Sequence, residues 1–289
     1  MLNKKAILMT LSLSSFSPRK TDKRVTSQVL NQHAAASDAG KFVKNLLPDE
    51  AIEPIKKLDG EIRQFHYDNT VPWGDDGLRL LPILRYDPYM EKMRQNRAAR
   101  ETLVQKFLEN YQRWVENAPA RLSGLFNPGD YPPGDVAAKK FQFKLQCQPV
   151  PDAGDFRVDV PNEELDALRR SVDERVAEAA KLAHQDLCRR LAEPLAAMVD
   201  RLSQPDAIFR DTLVGNLREI VALIPALNLT GDPQLDAVRQ RVLAELAHYT
   251  PEQLRENKDD RKSAAAKAQA ILEQMNGFMS ETDPMPQAA

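Results

Sequence analysis

Over 162–203 the apolar residues recur at threes and fours: Leu165, Leu168, Val172, Val176, Ala179, Ala183, Leu187, Leu191, Leu195, Met198 and Leu202. That spacing keeps them on one face of a helix. The steps favour four, so the stripe drifts around the axis and any supercoil is shallow. Asn162 can cap the start, and Glu163, Glu164 and Asp166 set negative charge against the positive end of the helix dipole. Pro194 predicts a kink near Arg190. At 1.5 Å per residue the helix spans roughly 60 Å, deeper than one globular core, so part of it needs a partner helix. A second long helix is predicted over 87–123, with Asp87 as cap and Pro88 at its first position. It carries Met90, Met93, Val104, Phe107, Leu108, Tyr111, Trp114, Val115 and Leu122. Its middle, 94–100, is basic and lacks large apolar residues. The pattern there predicts a solvated stretch, or the place where the helix over 49–68 or another molecule makes contact.

Strict alternation marks three strands. Ile7, Met9, Leu11 and Leu13 alternate over 6–14. Phe141, Phe143, Leu145 and Cys147 alternate over 140–148, and Phe156, Val158 and Val160 over 155–160. The last two are joined by the turn residues Pro149 to Asp155 and form a hairpin, to which the first strand is the natural third member. The predicted fold class is therefore mainly α with a small antiparallel β-sheet, an elongated α+β protein. Its long helical hairpin, the 87–123 helix against the 162–203 helix, is joined through the β-hairpin. Shorter helices are predicted over 21–32, over 38–47 (capped by Ser37 or Asp38 and stopped by Pro48), over 49–68, after Asp206 as far as Pro225, and over 233–248. One elongated domain is expected over 1–249 with a three-stranded sheet, followed by a charged, Ala-rich tail over 250–289 that is partly disordered.

Composition narrows the function classes. Hydrophobic residues make up 42% and charged residues 28%, the balance of an ordinary globular chain. The formal net charge of −2 argues against a surface that is basic throughout, while leaving room for a local basic patch. Two cysteines far apart, Cys147 and Cys188, make neither a disulfide framework nor a zinc site, and a reducing cytoplasm is the expected compartment. The apolar run after Lys4 and Lys5 is broken by Thr10, Ser12 and Ser14, so it reads as a strand rather than a signal sequence. No stretch reaches the ~20 apolar residues of a membrane span.

The candidate chemistry is sparse. The aperiodic stretch over 66–77 collects His66, Tyr67, Asp68, Asn69, Trp73, Asp75 and Asp76. His66 could act as a base or ligand, and the three aspartates could hold a hard cation. Turn and cap chemistry accounts for nearly every one of those residues as well, with Trp73 filling a core gap. A basic contact face is formed by Lys20, Lys23 and Arg24 together with Arg94, Arg97 and Arg100, which step by three along a helix. Such a face could meet phosphates, although Glu91, Glu101 and Glu109 balance it. Cys147 is expected to be a buried thiol on the apolar side of its strand. His184 and Cys188 share a helix face at i,i+4, a poor metal site without further ligands. No catalytic residue, metal or cofactor is predicted.

Several blocks together resemble a known family. They are Ile7-Leu8-Met9-Thr10-Leu11-Ser12-Leu13 with Arg19-Lys20-Thr21-Asp22-Lys23, Asp38-Ala39-Gly40-Lys41-Phe42, Phe65 to Gly74, and Pro149 to Val158. The chain to about Leu246 resembles a domain-of-unknown-function family of phages and integrative or conjugative elements. Genes of that family often lie beside a MoxR-type AAA+ ATPase and a protein with a von Willebrand A domain. The family has no established active site, so the resemblance carries no catalytic residue to this chain. It implies an adaptor or substrate role in an ATPase-driven remodelling system. The expectation is a non-enzymatic interaction protein, by self-association or with those partners. A nucleic-acid-binding accessory protein is the alternative, and a metal-dependent enzyme centred on His66, Asp68, Asp75 and Asp76 comes third.

Overall fold

A computed structural model describes residues 2–74, 77–155, 162–204 and 207–282. The fold is mainly α with a small antiparallel sheet, as the periodicity predicts. In chain order the elements are β1 (Ala6–Ser14), β2 (Arg19–Thr21), α1 (Lys23–Gln32), β3 (Val43–Asn45), α2 (Glu53–Asp68), β4 (Val71–Pro72) and β5 (Arg79–Pro82). Then follow α3 (Tyr86–Leu122), α4 (Gly134–Ala138), β6 (Gln142–Pro149), α5 (Asn162–Ser203), α6 (Thr212–Leu227), α7 (Pro233–Glu245), α8 (Pro251–Glu256) and α9 (Lys258–Thr282). Four strands form one sheet in the order β4-β5-β1-β6, and β2 pairs with β3 in a separate ribbon. The predicted strand over 155–160 lies outside the described residues, apart from Asp155, which ends a 3-10 turn.

The described residues gather into two compact units. Unit one draws on Met1–Thr10, Asp68–Asp87 and Cys147–Ala289, and unit two on Leu11–Tyr67 and Pro88–Gln146. Most of the 87–123 helix falls in unit two and the 162–203 helix in unit one. In unit one, α5 packs chiefly on α9 and α6. From Ala179 to Leu202 the predicted stripe is buried throughout, and Leu187, Leu191, Leu195 and Met198 are at most 1% exposed. Ala264, Ala268, Ile271 and Met275 of α9 join the same core, as do Leu217, Val221 and Ile224 of α6 and Leu235, Val238 and Val242 of α7. Full burial of a leucine side chain is worth about 1.5–3 kcal/mol, so this seam dominates the unit. It also corrects the tail expected from residue 250. The alanines there let α9 approach α5 closely, and their small, regularly spaced faces need only a neighbour to become core.

The first turns of α5 are different. From Glu163 to Glu178 no residue is buried, and Leu168 is 40% exposed although the apolar spacing is unbroken. The helix passes through Pro194 without ending.

The sheet departs from the predicted three strands. β5 pairs antiparallel with β1, setting Ala6 opposite Pro82 and Leu8 opposite Leu80, and β4 adds Val71 opposite Leu80. β4 lies within the aperiodic stretch over 66–77 and β5 in the apolar run just after it; two- and four-residue strands are too short to show a period. The face of β1 that enters the unit-one core carries Ala6 and Leu8, not the Ile7-Met9 set, and Met9 is buried too.

Unit two has a core rich in rings. Phe16, Phe107, Tyr111, Trp114 and Phe141 lie with centroids 5.0–5.9 Å apart. The Tyr111 hydroxyl donates to Pro132 O and that of Tyr131 to Leu46 O, both at 2.9 Å. The short helix predicted over 38–47 is instead β3, which pairs with β2 so that Lys20 faces Lys44. Strand geometry turns Val43 outward and Lys44 inward, where Lys44 finds two carboxylates. That tertiary pairing outweighs a weak local helical pattern.

Candidate functional site

The stretch from His66 onward is where the chain passes from unit two into unit one, and its two halves do different work. On the unit-two side, His66 closes α2 one turn after Ile62 and is 3% exposed. Its Nδ1 lies 2.7 Å from the hydroxyl of Tyr89, which is fully buried. Burial pushes the Tyr89 hydroxyl well above the usual tyrosine range, so it stays protonated and keeps this hydrogen bond. Phe65 stacks on Tyr89 at 5.6 Å, and Tyr67 is half exposed. His66 is thus held as part of a packed aromatic cluster.

On the unit-one side, buried polar groups are tied to arginines. Asn69 Oδ1 accepts from Arg85 Nε at 3.1 Å and Nη2 at 2.6 Å. Thr70 Oγ1 accepts from Arg79 Nε at 2.7 Å, and Thr70 O from Arg79 and Arg190, both at 2.9 Å. Arg190 also donates to Asp68 O at 3.4 Å and pairs with Asp186 Oδ2 at 2.6 Å. The passage from the end of α2 into β4 is therefore clasped to the middle of α5. Trp73 is 2% exposed in the core, and the Arg175 guanidinium lies 5.8 Å from its ring centroid. Asp75 and Asp76 lie outside the described residues. Among the described residues no group of three His, Cys, Asp or Glu side chains is placed to hold a metal.

The six residues of the basic face meet several fates, all within unit two. Lys20 pairs with Asp130 at 2.8 Å, Arg24 donates to Gly124 O at 3.0 Å, and Lys23 is exposed. Arg94 is held by Glu91 at 2.7 Å. The Arg97 guanidinium lies over the Phe143 ring, 4.8 Å from its centroid. Arg100 is withdrawn from the surface altogether. At 3% exposure it donates to Asp59 Oδ1 at 2.6 Å and Oδ2 at 3.3 Å, to Ser14 O at 2.6 Å and to Ser15 Oγ at 3.0 Å. The middle of α3 is therefore a polar core with Asn96 and Arg100 buried, and the contact looked for from the 49–68 helix is Asp59.

Two features escaped the sequence reading. Lys44 is buried between Asp22 Oδ2 at 3.0 Å and Asp130 Oδ2 at 2.8 Å, and it donates to Leu125 O at 2.7 Å. Burial alone would lower the Lys44 ammonium, but the two carboxylates outweigh it and hold it above its usual value. Burial likewise tends to raise Asp130, and Lys20 and Lys44 hold it below the ordinary carboxylate range. Asp59 did leave a signal: it sits among Ile55, Ile62 and His66 on the buried face of α2, where a lone carboxylate needs a cation.

His184 and Cys188 do come together. Cys188 Sγ is 3.5 Å from His184 Nε2, which is 3.4 Å from Asp232 Oδ2. A Cys–His–Asp relay needs the thiol and the carboxylate on opposite ring nitrogens, and here both meet Nε2. Burial, with the Asp232 carboxylate adding to it, pushes the Cys188 thiol up to about 12, so it is no thiolate at neutral pH. Cys147, expected to be buried, is exposed near the end of β6.

No family model, curated protein or solved structure matches the chain. Among the described residues no helix is long and apolar enough to cross a membrane.

Proposed function

We propose that this chain is a non-enzymatic interaction protein of a phage or mobile element, an adaptor working with a MoxR-type ATPase and a von Willebrand A partner. The observation that supports the interaction role is the start of α5. Leu165, Leu168 and Val172 continue the stripe of threes and fours beyond the residues that pack in the core, and Leu168 remains 40% exposed. A helical face of that spacing, flanked by Arg169, Arg170, Asp173 and Glu174, suits a partner helix by knobs-into-holes packing. The choice of ATPase and von Willebrand A protein rests on the resemblance of the sequence blocks alone.

The test is co-purification of the full chain with a MoxR-type ATPase and a von Willebrand A protein of the same element, together with light scattering on a sizing column. The reading expects a complex or a self-associated species that Leu168→Glu dissociates while the circular dichroism spectrum is kept. A monomer that binds neither protein overturns it. DNA affinity that falls steeply with salt supports an accessory role on nucleic acid instead, carried by Lys23 and its neighbours.

A further inference from the structure

On unit two, α3 and the start of β6 enclose a cleft of about 320 Å³. Arg97, Arg100, Glu101, Val104 and Gln105 line it from the helix, and Phe141 and Phe143 from the strand side. The helix residues step by threes and fours, so they share one face. Two of the charged groups are uncommitted. Arg97 rests on Phe143, a cation–π placement that uses none of its five N–H donors. Neither Arg97 nor Glu101 makes an ion pair among the described residues, although they stand at i,i+4. Arginine preceding glutamate is the weaker order for such a pair, and the Phe143 ring draws the guanidinium aside. The third charge, Arg100, is balanced by Asp59 through Nε and Nη2, while its Nη1 has no hydrogen-bond partner among the described residues.

The cleft therefore offers one free cation with an extra N–H donor, one free carboxylate, and an apolar wall of Val104 and two phenyl rings. An uncharged apolar ligand would desolvate Arg97 and Glu101 with nothing to replace the lost water. A phosphate group would bring two negative charges beside Glu101. A zwitterion with an apolar body satisfies all three elements, and the volume lies at the small end of ligand pockets. We propose that the cleft binds a free α-amino acid with an apolar or aromatic side chain. Its carboxylate is held by Arg97 and Arg100 Nη1, its ammonium by Glu101, and its side chain by Val104, Phe141 and Phe143.

Isothermal titration of the full chain with L-phenylalanine and L-leucine tests this. Saturable one-site binding is expected. Phenethylamine lacks the carboxylate and 3-phenylpropionate the ammonium, and each should bind about tenfold or more weakly, the cost of one charge-assisted contact. N-acetyl-L-phenylalanine, which imitates the end of a peptide, separates a free amino acid from a chain terminus. Arg97→Gln and Glu101→Gln change exposed side chains and should each weaken L-phenylalanine about tenfold at an unchanged thermal midpoint. Three results overturn the proposal: no saturable binding of either amino acid, any of phenethylamine, 3-phenylpropionate and N-acetyl-L-phenylalanine binding as tightly as L-phenylalanine, or full affinity in either variant. Should a variant fail to fold, the comparison of the five small molecules on the wild-type chain decides alone.

Discussion

Removing Asp59 should be among the most damaging single changes in unit two. Asp59 and Arg100 are each 3% exposed, and the carboxylate takes both Arg100 Nε and Nη2 as well as the Ser15 hydroxyl at 2.8 Å. Asp59→Ala leaves a guanidinium buried with only Ser14 O and Ser15 Oγ as acceptors. Breaking one side of a buried, hydrogen-bonded ion pair costs about 3–5 kcal/mol. The pair itself is worth much less, because both charges were taken out of water to make it. The double variant Asp59→Leu with Arg100→Met should therefore recover most of the loss and fall within about 1–2 kcal/mol of wild type, since apolar replacement of a buried pair is often neutral. The molecule supplies its own probes: Trp114 belongs to unit two and Trp73 to unit one. In a Trp73→Phe background the urea transition followed by fluorescence reports on unit two, and the matching Trp114→Phe background reports on unit one. Separate probes matter because two units need not unfold together. A loss under about 1 kcal/mol for Asp59→Ala would refute the reasoning, as would a double variant no more stable than the single one.

Three further outcomes are expected. Leu191→Ala, at a fully buried position in the α5 stripe, should cost about 2–5 kcal/mol in the transition followed by Trp73, with little change in that followed by Trp114. The Lys44 cluster should make unit two pH-sensitive at both ends. Asp22 and Asp130 are held below the ordinary value near 3.8, so their contribution is present above that value and is lost as pH falls through their lower folded pKa values. Lys44 is held above 10.5, so its share is complete below that pH and is lost as pH rises through the folded value. Lys44→Met should flatten both limbs of the stability–pH curve measured by urea midpoints, and an unchanged acid limb would count against the clasp. Finally, a thiol reagent at pH 8 should label Cys147 rapidly and Cys188 only on unfolding, giving one reactive thiol per native chain rather than two.

The long elements were legible in the sequence because each repeats its period many times. Eleven apolar positions at threes and fours announce α5, strict alternation announces β6, and a looser alternation announces β1. Each prediction is local, since the period states which face is apolar without stating what covers it. The same spacing runs through Leu165 to Val176, which stay partly exposed, and through Leu187 to Leu202, which do not. Short elements carry too few repeats to be read: β4 falls in an aperiodic stretch, β5 just beyond it, and the local pattern around β3 is helical.

The candidate sites divide along the same line. His66, Asn69 and Trp73 stood out by their chemistry, but only the fold commits His66 to Tyr89, Asn69 to Arg85 and Trp73 to the core. Arg94, Arg97 and Arg100 look equivalent in sequence, three arginines at equal steps. Arg94 pairs locally with Glu91, while tertiary structure gives Arg97 to the Phe143 ring and Arg100 to Asp59, a partner 41 residues away. The charged, Ala-rich segment over 250–289 reads as a tail, because alanine side chains are too small to announce a core-facing stripe. Packed against α5, the same alanines permit the close approach that makes α9 part of the core. The sequence by itself determined the class, the two long helices and the main strands, because periodicity is a property of neighbouring residues. The partners of those helices and the fate of each buried charge were decided only in three dimensions, because burial and ion pairing join residues that the chain keeps far apart.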